Sequence, residues 1–389
     1  MEAAGRSARM TLRTDASVKP LELFFDLVFV LALTQCTQLM ADDPSWEGLA
    51  RGLLVLGVLW WSWVGYSWLT SVVDPEEGLV RFAIFGAMAA LLVVALCVPE
   101  AFGDLGLLFA CAYFVVRIGQ VVLLYTAGRD DPNLRRSVTG LAVGTLIGTS
   151  ILIVASFTDG VLQGGLWALA LALDVGEPYL FGSEGWKLAP RHFVERHGLI
   201  IIIALGESIV AIGAGVEGEV DAGVVAASAL GVGVAAALWW LYFDIVALVA
   251  ERRLTHAKPG REQNEIARDS FSYLHFPMVA GIVLVALGLK KTLGHVEDPL
   301  KVEVATAMLG GTAIYLLAHV AFRWRNVHRL NVARIVCAAV LLALIPLATE
   351  IASLATLAIV LALLAALIAY ETVHFADLRA RLRHQAVSE

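Results

Sequence analysis

The chain has 389 residues, of which 59% are hydrophobic and 16% are charged, and its formal net charge is −7. Soluble proteins average about 45–50% apolar and about 25% charged residues, so this composition excludes a soluble multidomain protein. A membrane-spanning helix needs about 20 apolar residues, and the hydrophobic residues suffice for about twelve such helices, with no large soluble domain besides. Nothing in the charge pattern predicts a nucleic-acid partner.

Apolar stretches of spanning length alternate with short polar segments rich in Asp, Glu, Gly and Pro. We therefore predict an all-α polytopic membrane protein whose main partner is the lipid bilayer. The predicted spans lie at about 20–40, 49–70, 79–98, 104–126, 137–157, 161–181, 195–215, 224–250, 271–290, 303–323, 331–349 and 352–374.

Lys and Arg predict the orientation of these spans. With twelve spans, 23 of the 28 basic residues lie on the side of the N-terminus; four (Arg51, Lys290, Lys291 and Lys301) lie opposite, and Arg117 lies well inside a span. Basic residues accumulate on the cytoplasmic side, so both termini are predicted to be cytoplasmic. The predicted segments are a tail (1–19), a first six-helix half (20–181), a connector (182–194), a second half (195–374) and a final tail (375–389).

The two halves share short stretches of sequence. LeuTrpTrp at 59–61 recurs at 238–240, and residues 83–98 align without gaps on 274–289, with identities that include Phe85 with Phe276. Paired helices that lie six spans apart have the same orientation, so the pattern predicts two parallel six-helix repeats.

The first span carries two carboxylates four residues apart, Glu22 and Asp26, which places both on one helix face. An acidic first turn is also typical of a helix N-terminus, and this explanation is favoured for Glu22. Asp26 lies one turn deeper, about 6 Å along the axis, where an ionisable group is costly and is a candidate for function. For Asp26 the two interpretations stay open.

The seventh span is the richest in ionisable residues. His192, Glu195, Arg196 and His197 are predicted to lie at the cytoplasmic mouth, and Glu207 lies eleven residues beyond Arg196 on the same stripe. This spacing places Glu207 about 16 Å deeper, near the bilayer midplane, where burial disfavours the charged carboxylate and favours proton exchange. Gly206 and Gly213 are expected to let a neighbouring helix approach closely.

Other ionisable residues lie inside the remaining spans. Asp174 and Glu177 share a face before Pro178, where a broken helix would form either an ion site or an irregular interfacial end. Arg117 is expected to pair with a buried acid. Asp244, His275 and His319 complete the set, and the histidines are either proton relays or hydrogen-bonded structural residues.

No metal site or cofactor is predicted. His192 and His197 are five residues apart and so point in different directions on a helix. The four cysteines lie in apolar runs without paired spacing, and no phosphate-binding or nucleophile motif appears in a suitable context.

Several motifs together resemble one family. LysProLeuGluLeuPhePheAspLeuValPheVal at 19–30, the segment from Glu195 to Gly213 with its core AlaLeuGlyGluSer, TrpTrpLeuTyrPheAsp at 239–244 and TyrLeuHisPhePro at 273–277 are similar to the bacterial low temperature requirement protein A family. The resemblance implies a multi-pass protein of the bacterial plasma membrane linked to growth at low temperature. It draws attention to Glu22, Asp26, Glu195, His197, Gly206, Glu207, Ser208, Asp244 and His275, without assigning them a chemical role.

Deep acids outnumber deep bases in the predicted spans, and a carboxylate left unpaired at depth must bind a proton or a cation. This favours a proton- or cation-coupled secondary transporter of an unknown small solute, in which Glu207 and the acids that face it load and release the coupling ion as the two halves rock. Such a mechanism requires Asp26, Glu207, Asp244 and His275 to converge on one solvated cavity. The alternatives are a cation or proton channel, and an intramembrane enzyme or non-transporting stress-response protein.

Overall fold

A computed structural model describes residues 17–180, 185–216 and 218–376. Most of both predicted tails and the start of the predicted connector lie outside these residues. The described residues are helical and form no strand; an isolated antiparallel bridge joins Pro299 and Ala352. The helices are α1 (Pro20–Asp42), α2 (Trp46–Val72), α3 (Gly78–Cys97), α4 (Gly106–Ala127), α5 (Pro132–Ala155), α6 (Gly160–Leu180), α7 (Pro190–Gly215), α8 (Ala222–Phe243), α9 (Val246–Thr255), α10 (Arg261–Ile266), α11 (His275–Gly294), α12 (Val302–Ala305), α13 (Gly311–Val327), α14 (Val332–Ala343), α15 (Ile345–Ala348) and α16 (Ser353–His374). Three short segments complete them: a 3₁₀ turn at Val98–Glu100 and π-helical turns at Ala267–Tyr273 and Thr306–Gly310.

Ten helical stretches in the described residues are long and apolar enough to cross a membrane. They are α1, α2, α3 with the 3₁₀ turn, α4, α5, α7, α8 with α9, α10 to α11, α12 to α13, and α16. The chain is therefore a multi-pass membrane protein. Twelve spans stay a prediction, because Gln163, Asp174 and Glu177 lower the apolar character of α6 and because α14 has only 12 residues.

Local sequence explains where several helices begin. Asp131 caps α5 by accepting hydrogen bonds from the backbone N–H groups of Asn133 (3.0 Å) and Leu134 (3.2 Å), with Pro132 at the first helical position. Asp221 caps α8 in the same way through Val224 N at 2.8 Å. These polar caps lie between apolar helices, where the sequence predicted turns.

The contacts divide the chain into two compact units. The first unit contains Met1–Leu39, Ala50–Arg196 and Thr255–Arg268. Within it, α3, α4, α5 and α6 pack one on the next in chain order, and α2 is the most buried helix. The aromatic run of α2 at 60–68 is buried throughout, so it packs the interior of this unit and does not form an exposed interfacial belt.

The second unit contains Met40–Leu49, His197–Leu254 and Asp269–Glu389. Within it α11 packs against α13, α13 against α14, and α8 against α16. The backbones of α11 and α13 approach each other closely at two glycines, where a Cβ added to Gly281 would lie 2.6 Å from the Gly311 carbonyl oxygen. Since the division falls between Arg196 and His197 inside α7, these units are a different partition from the predicted halves.

Candidate functional site

Asp26 is completely buried in the first unit and is held by two side chains. Arg196 of α7 donates from Nη2 to Asp26 Oδ1 at 2.9 Å, and the Trp63 indole of α2 donates from Nε1 to the same oxygen, also at 2.9 Å. The Arg196 guanidinium also lies over the Trp63 ring, 5.6 Å from its centroid. One oxygen of Asp26 therefore carries both the ion pair and the indole contact.

Glu22, one turn before Asp26, uses its two oxygens differently. Oε2 accepts a hydrogen bond from the Lys19 backbone N–H at 2.8 Å, which caps the start of α1. Oε1 lies 2.7 Å from His192 Nε2 and 3.8 Å from Arg196 Nη1. Glu22 is thus both a helix-capping residue and a member of a buried ionic group.

The four ionisable residues form two matched pairs. Glu22 and Asp26 are four residues apart on α1, and His192 and Arg196 are four apart on α7, so His192 is the closest base to Glu22 and Arg196 is the closest base to Asp26. We call Glu22, Asp26, Trp63, His192 and Arg196 the Asp26 network. Arg196 and His192 were expected at the cytoplasmic mouth; the structure buries both among these partners.

The Asp26 network keeps unused hydrogen-bonding capacity. Among the described residues, Asp26 Oδ2 and Arg196 Nε have no hydrogen-bond partner. A cavity of about 10 Å³ lies against Glu22, Phe25, Tyr66 and Arg196, with roughly the space that one water molecule needs. The network therefore contains a buried carboxylate oxygen that can take a proton without breaking a hydrogen bond between side chains.

A second buried ionic group surrounds Arg117 on α4. Arg117 Nη2 donates to Asp174 Oδ1 of α6 at 3.2 Å and to Thr145 Oγ1 of α5 at 3.3 Å, and Nη1 donates to Gln120 Oε1 at 3.2 Å. Tyr113 donates its hydroxyl to Asp174 Oδ2 at 3.4 Å. An acid partner was expected for Arg117, and Asp174 is that acid.

Glu177 lies one turn beyond Asp174 and is also buried. Two glycines of α5 make room for these acids: a Cβ on Gly144 would lie 3.1 Å from Glu177 Cγ, and one on Gly148 would lie 3.5 Å from Asp174 Oδ1. The expected break in the helix is wrong, because α6 continues through Pro178 to Leu180. We call Tyr113, Arg117, Gln120, Thr145, Asp174 and Glu177 the Arg117 network.

His275 is buried in the second unit and both of its ring nitrogens have partners. Nδ1 donates to the Ser270 carbonyl oxygen at 2.9 Å, so Nε2 accepts from the Tyr242 hydroxyl at 2.8 Å. The ring of His197 lies edge-on to His275, with 5.2 Å between centroids. This arrangement corresponds to the hydrogen-bonded structural alternative for His275.

The remaining candidates are more scattered. Glu207 is buried in α7 at 1% exposure, and Asp244 is half-buried just after α8. Glu195 is exposed, and its Oε2 accepts from the Val18 N–H at 3.1 Å. Asp26 belongs to the first unit, whereas Glu207, Asp244 and His275 belong to the second.

The close helix contact expected at Gly206 and Gly213 is wrong. Among the described residues, a Cβ added at either position would meet no atom within 4 Å. The tight approaches near this part of the second unit lie elsewhere, as at Gly215, where an added Cβ would meet the backbone of Lys290. Small residues mark a helix contact only where a partner backbone lies opposite them.

One buried ion pair is not apparent from the sequence. Arg334 of α14 forms a bidentate ion pair with Glu371 of α16, with Nε and Nη2 each 2.8 Å from a different carboxylate oxygen. Asn331 Nδ2 donates to Glu371 Oε1 at 2.7 Å. Arg334 and Arg196 are both buried, so Arg117 is not the only buried base.

The motifs at 19–30, 195–213, 239–244 and 273–277 all lie within the part of the chain that matches a known protein family. The family model described as "Bacterial low temperature requirement A protein (LtrA)" matches residues 17–369. The chain belongs to the LtrA family. This confirms the resemblance drawn from the motifs, and the matched range of this LtrA protein contains every residue of the Asp26 and Arg117 networks.

One relative is a protein of Rhizobium meliloti (strain 1021) named "Uncharacterized protein RA0937". It is 33% identical to this LtrA protein over 310 residues, which covers 76% of the present chain and 74% of the relative. The search of solved structures found no match.

Proposed function

We propose that this LtrA protein is a proton-coupled secondary transporter of the bacterial inner membrane, with the Asp26 network as the site that binds and releases the coupling proton. The observation that carries this proposal is a charge count at a buried site. Glu22 and Asp26 supply two carboxylates, whereas Arg196 supplies one permanent positive charge.

A buried group of this composition is neutral only when it holds one additional proton. That proton can reside on His192, which then pairs with Glu22, or on Asp26 Oδ2, which has no hydrogen-bond partner among the described residues. Without the proton the network carries a net negative charge, which is costly in a low-dielectric interior. Loss of the proton therefore favours either entry of a cation or a rearrangement of α1 against α7, and this is the coupling step that we propose.

The Arg117 network has the same number of carboxylates and arginines. Asp174 and Glu177 provide two carboxylates, and both interact electrostatically with the single cation Arg117. It is therefore a second place at which one proton restores neutrality. Its side chains come from three helices, α4, α5 and α6, and Arg117 also donates to the Trp61 carbonyl oxygen of α2, so a change in its charge affects the packing of all four helices.

A parallel repeat is part of this proposal, because two similar halves that rock about a central site provide alternating access. Two hydrogen bonds support it. Tyr113 donates its hydroxyl to the Val58 carbonyl oxygen at 3.2 Å, and Tyr315 donates to the Leu238 carbonyl oxygen at 2.7 Å. Val58 directly precedes the first LeuTrpTrp motif, and Leu238 begins the second.

The proposal is tested with purified protein in proteoliposomes that contain a pH-sensitive dye. A panel of amino acids, organic acids, sugars and inorganic cations is applied as concentration jumps, and movement of protons is recorded. We expect at least one solute to drive proton movement in wild type. Asp26→Asn should abolish this movement, because the network is then neutral without a proton. Asp131→Asn is the matched control, since Asp131 caps α5 outside the spanning segment.

Solute-driven proton movement that is unchanged in Asp26→Asn would exclude the assigned site. A channel is separated by recording in planar bilayers, because a channel carries a steady current without a solute jump. A steady proton current that Asp26→Asn removes would replace the transporter with a proton channel that uses the same residues.

A further inference from the structure

The second unit contains a cavity of about 290 Å³ that the proposed transport site does not use. Its apolar wall includes Val246, Val249 and Phe322, and its polar wall includes His319, Arg323 and Arg329. Arg329 is exposed, so the cavity opens to the outside of the unit. Its volume lies near the lower limit of sites for small molecules, which run from about 300 to 1,000 Å³.

The cavity has an excess of positive charge. Arg334 and Glu371 also line the cavity, but their charges neutralise each other through the bidentate ion pair. Among the described residues, Arg323 and Arg329 form no ion pair. The guanidinium of Arg323 is held over the ring of Phe375, 5.2 Å from its centroid. Three arginines, Arg323, Arg329 and Arg334, therefore line the cavity with one carboxylate, that of Glu371.

His319 adds a hydrogen-bonding group to the inner wall. It is 1% exposed, and its Nδ1 lies 2.8 Å from the Tyr315 carbonyl oxygen, to which it donates. Its Nε2 has no hydrogen-bond partner among the described residues. Because Nδ1 carries the hydrogen in the neutral ring, Nε2 is an acceptor and fits a ligand hydroxyl.

We infer that this cavity binds the headgroup of an acidic phospholipid that also carries a hydroxyl, such as phosphatidylglycerol. The phosphate would pair with Arg323 and Arg329, a headgroup hydroxyl would donate to His319, and the start of an acyl chain would lie against Val249 and Phe322. An oxyanion matches guanidinium donors, and basic pockets between spanning helices bind anionic headgroups. Under the predicted orientation these arginines lie on the cytoplasmic side. The inference goes beyond the proposed transport function and does not depend on it.

The test uses full-length protein in detergent with added lipid. Native mass spectrometry measures bound phosphatidylglycerol, phosphatidic acid and phosphatidylcholine, and thermal unfolding measures stabilisation by each. We expect phosphatidylglycerol to bind most tightly and to raise the Tm. In Arg323→Gln/Arg329→Gln its affinity should fall by roughly tenfold or more, given the contribution of each cation near a lipid phosphate. His319→Phe should remove the preference for phosphatidylglycerol over phosphatidic acid.

Arg325→Gln is the matched control. Arg325 lies on the same helix and pairs with Asp269 at 2.9 Å, but it does not line the cavity, so its loss should leave lipid affinity unchanged. Equal binding of phosphatidylglycerol and phosphatidylcholine by wild type would overturn the inference. An equal loss of affinity in Arg325→Gln would also overturn it, because it would indicate a non-specific charge effect. Inorganic phosphate and a free fatty acid are added separately, and saturation by either at low concentration would assign the cavity to that soluble ligand instead.

Discussion

Arg196 and Asp26 are 170 positions apart in the sequence, and their side chains meet across 2.9 Å in the interior of the first unit. Neither side chain has access to solvent beyond 1% of its surface. A buried charge that loses its partner costs much more than an exposed one, because water cannot replace the lost contact. The loss of stability should therefore depend on which member of the network is replaced, and the number of charges that remain unpaired predicts the order.

Arg196→Gln should be strongly destabilising. It leaves Glu22 and Asp26 with no permanent cation, and breaking a buried pair in this way typically costs about 3–5 kcal/mol. Asp26→Asn should cost less, because Glu22 then balances Arg196 and the amide oxygen still accepts from Trp63. Thermal unfolding in detergent measures both variants.

The exposed pair between Lys187 and Asp131 provides the control for this comparison. Its side chains are 55% and 26% exposed, so Lys187→Ala should change stability by about 1 kcal/mol or less. A larger loss in Asp26→Asn than in Arg196→Gln would contradict the charge count, and with it the proposed proton site.

Gly281→Ala should destabilise the second unit. The added Cβ would lie 2.6 Å from the Gly311 carbonyl oxygen and 3.0 Å from the Tyr315 backbone nitrogen, so α11 and α13 must separate. Such overpacking typically costs about 1–3 kcal/mol. Gly206→Ala is the control, since its Cβ meets no described atom within 4 Å and should be neutral or slightly stabilising. Equal Tm values for the two variants would contradict the close packing of α11 on α13.

The helical fold was predictable because hydropathy records the energy of placing each residue in lipid, independently of its neighbours. The first five predicted spans, from 20–40 to 137–157, coincide with the observed helices α1 to α5. The spans predicted at 161–181 and 331–349 stay predictions, because α6 contains the polar residues Asp174 and Glu177 of the Arg117 network and α14 is short. Hydropathy treats a buried acid the same way whether or not it has a partner.

The pairing of side chains was much less predictable. The spacing of Glu22 and Asp26 gave the correct shared face, but nothing local specified Trp63 or Arg196 as partners. Arg334 was missed because a base near a predicted span end normally reaches water, whereas this one points to Glu371 on another helix. A buried network is formed by residues that are distant in sequence, so the sequence contains each residue but does not specify which residues pair.

The cap of α5 should make stability depend on acidity. The hydrogen bond and charge of Lys187, with the backbone N–H of Leu134, hold the pKa of Asp131 below its usual 3.8. A depressed pKa means that the carboxylate stabilises the fold above the unfolded pKa, and that this stabilisation is lost as the pH falls through the folded value. Asp131→Asn keeps an N-capping oxygen and removes the charge.

The Tm of Asp131→Asn should accordingly lie slightly below that of wild type at neutral pH. The two should converge only as the pH falls below 3.8 and through the lower pKa of Asp131 in the folded protein, where the wild-type carboxylate is also protonated. Thermal unfolding across a pH series measures the difference. A constant difference over the whole series would show that the charge of Asp131 makes no contribution.

Single cysteines at Glu219, His256 and His295 should decide whether α6 crosses the membrane, as the twelve-span topology requires. With twelve spans, Glu219 and His295 face the outside of the cell and His256 faces the cytoplasm, as the positive-inside rule requires for the basic residues around His256. A membrane-impermeant thiol reagent added to intact cells should then label the first and third positions only, and label all three after lysis. If α6 does not cross, the sides of all three positions exchange and only His256 is labelled in intact cells. Unsubstituted protein is the blank, because Cys36, Cys97 and Cys337 are buried and Cys111 lies within spanning helix α4. Labelling of His256 alone would therefore remove the twelve-span topology and, with it, the basis for two parallel six-helix repeats, while leaving the Asp26 network inside the first unit unchanged.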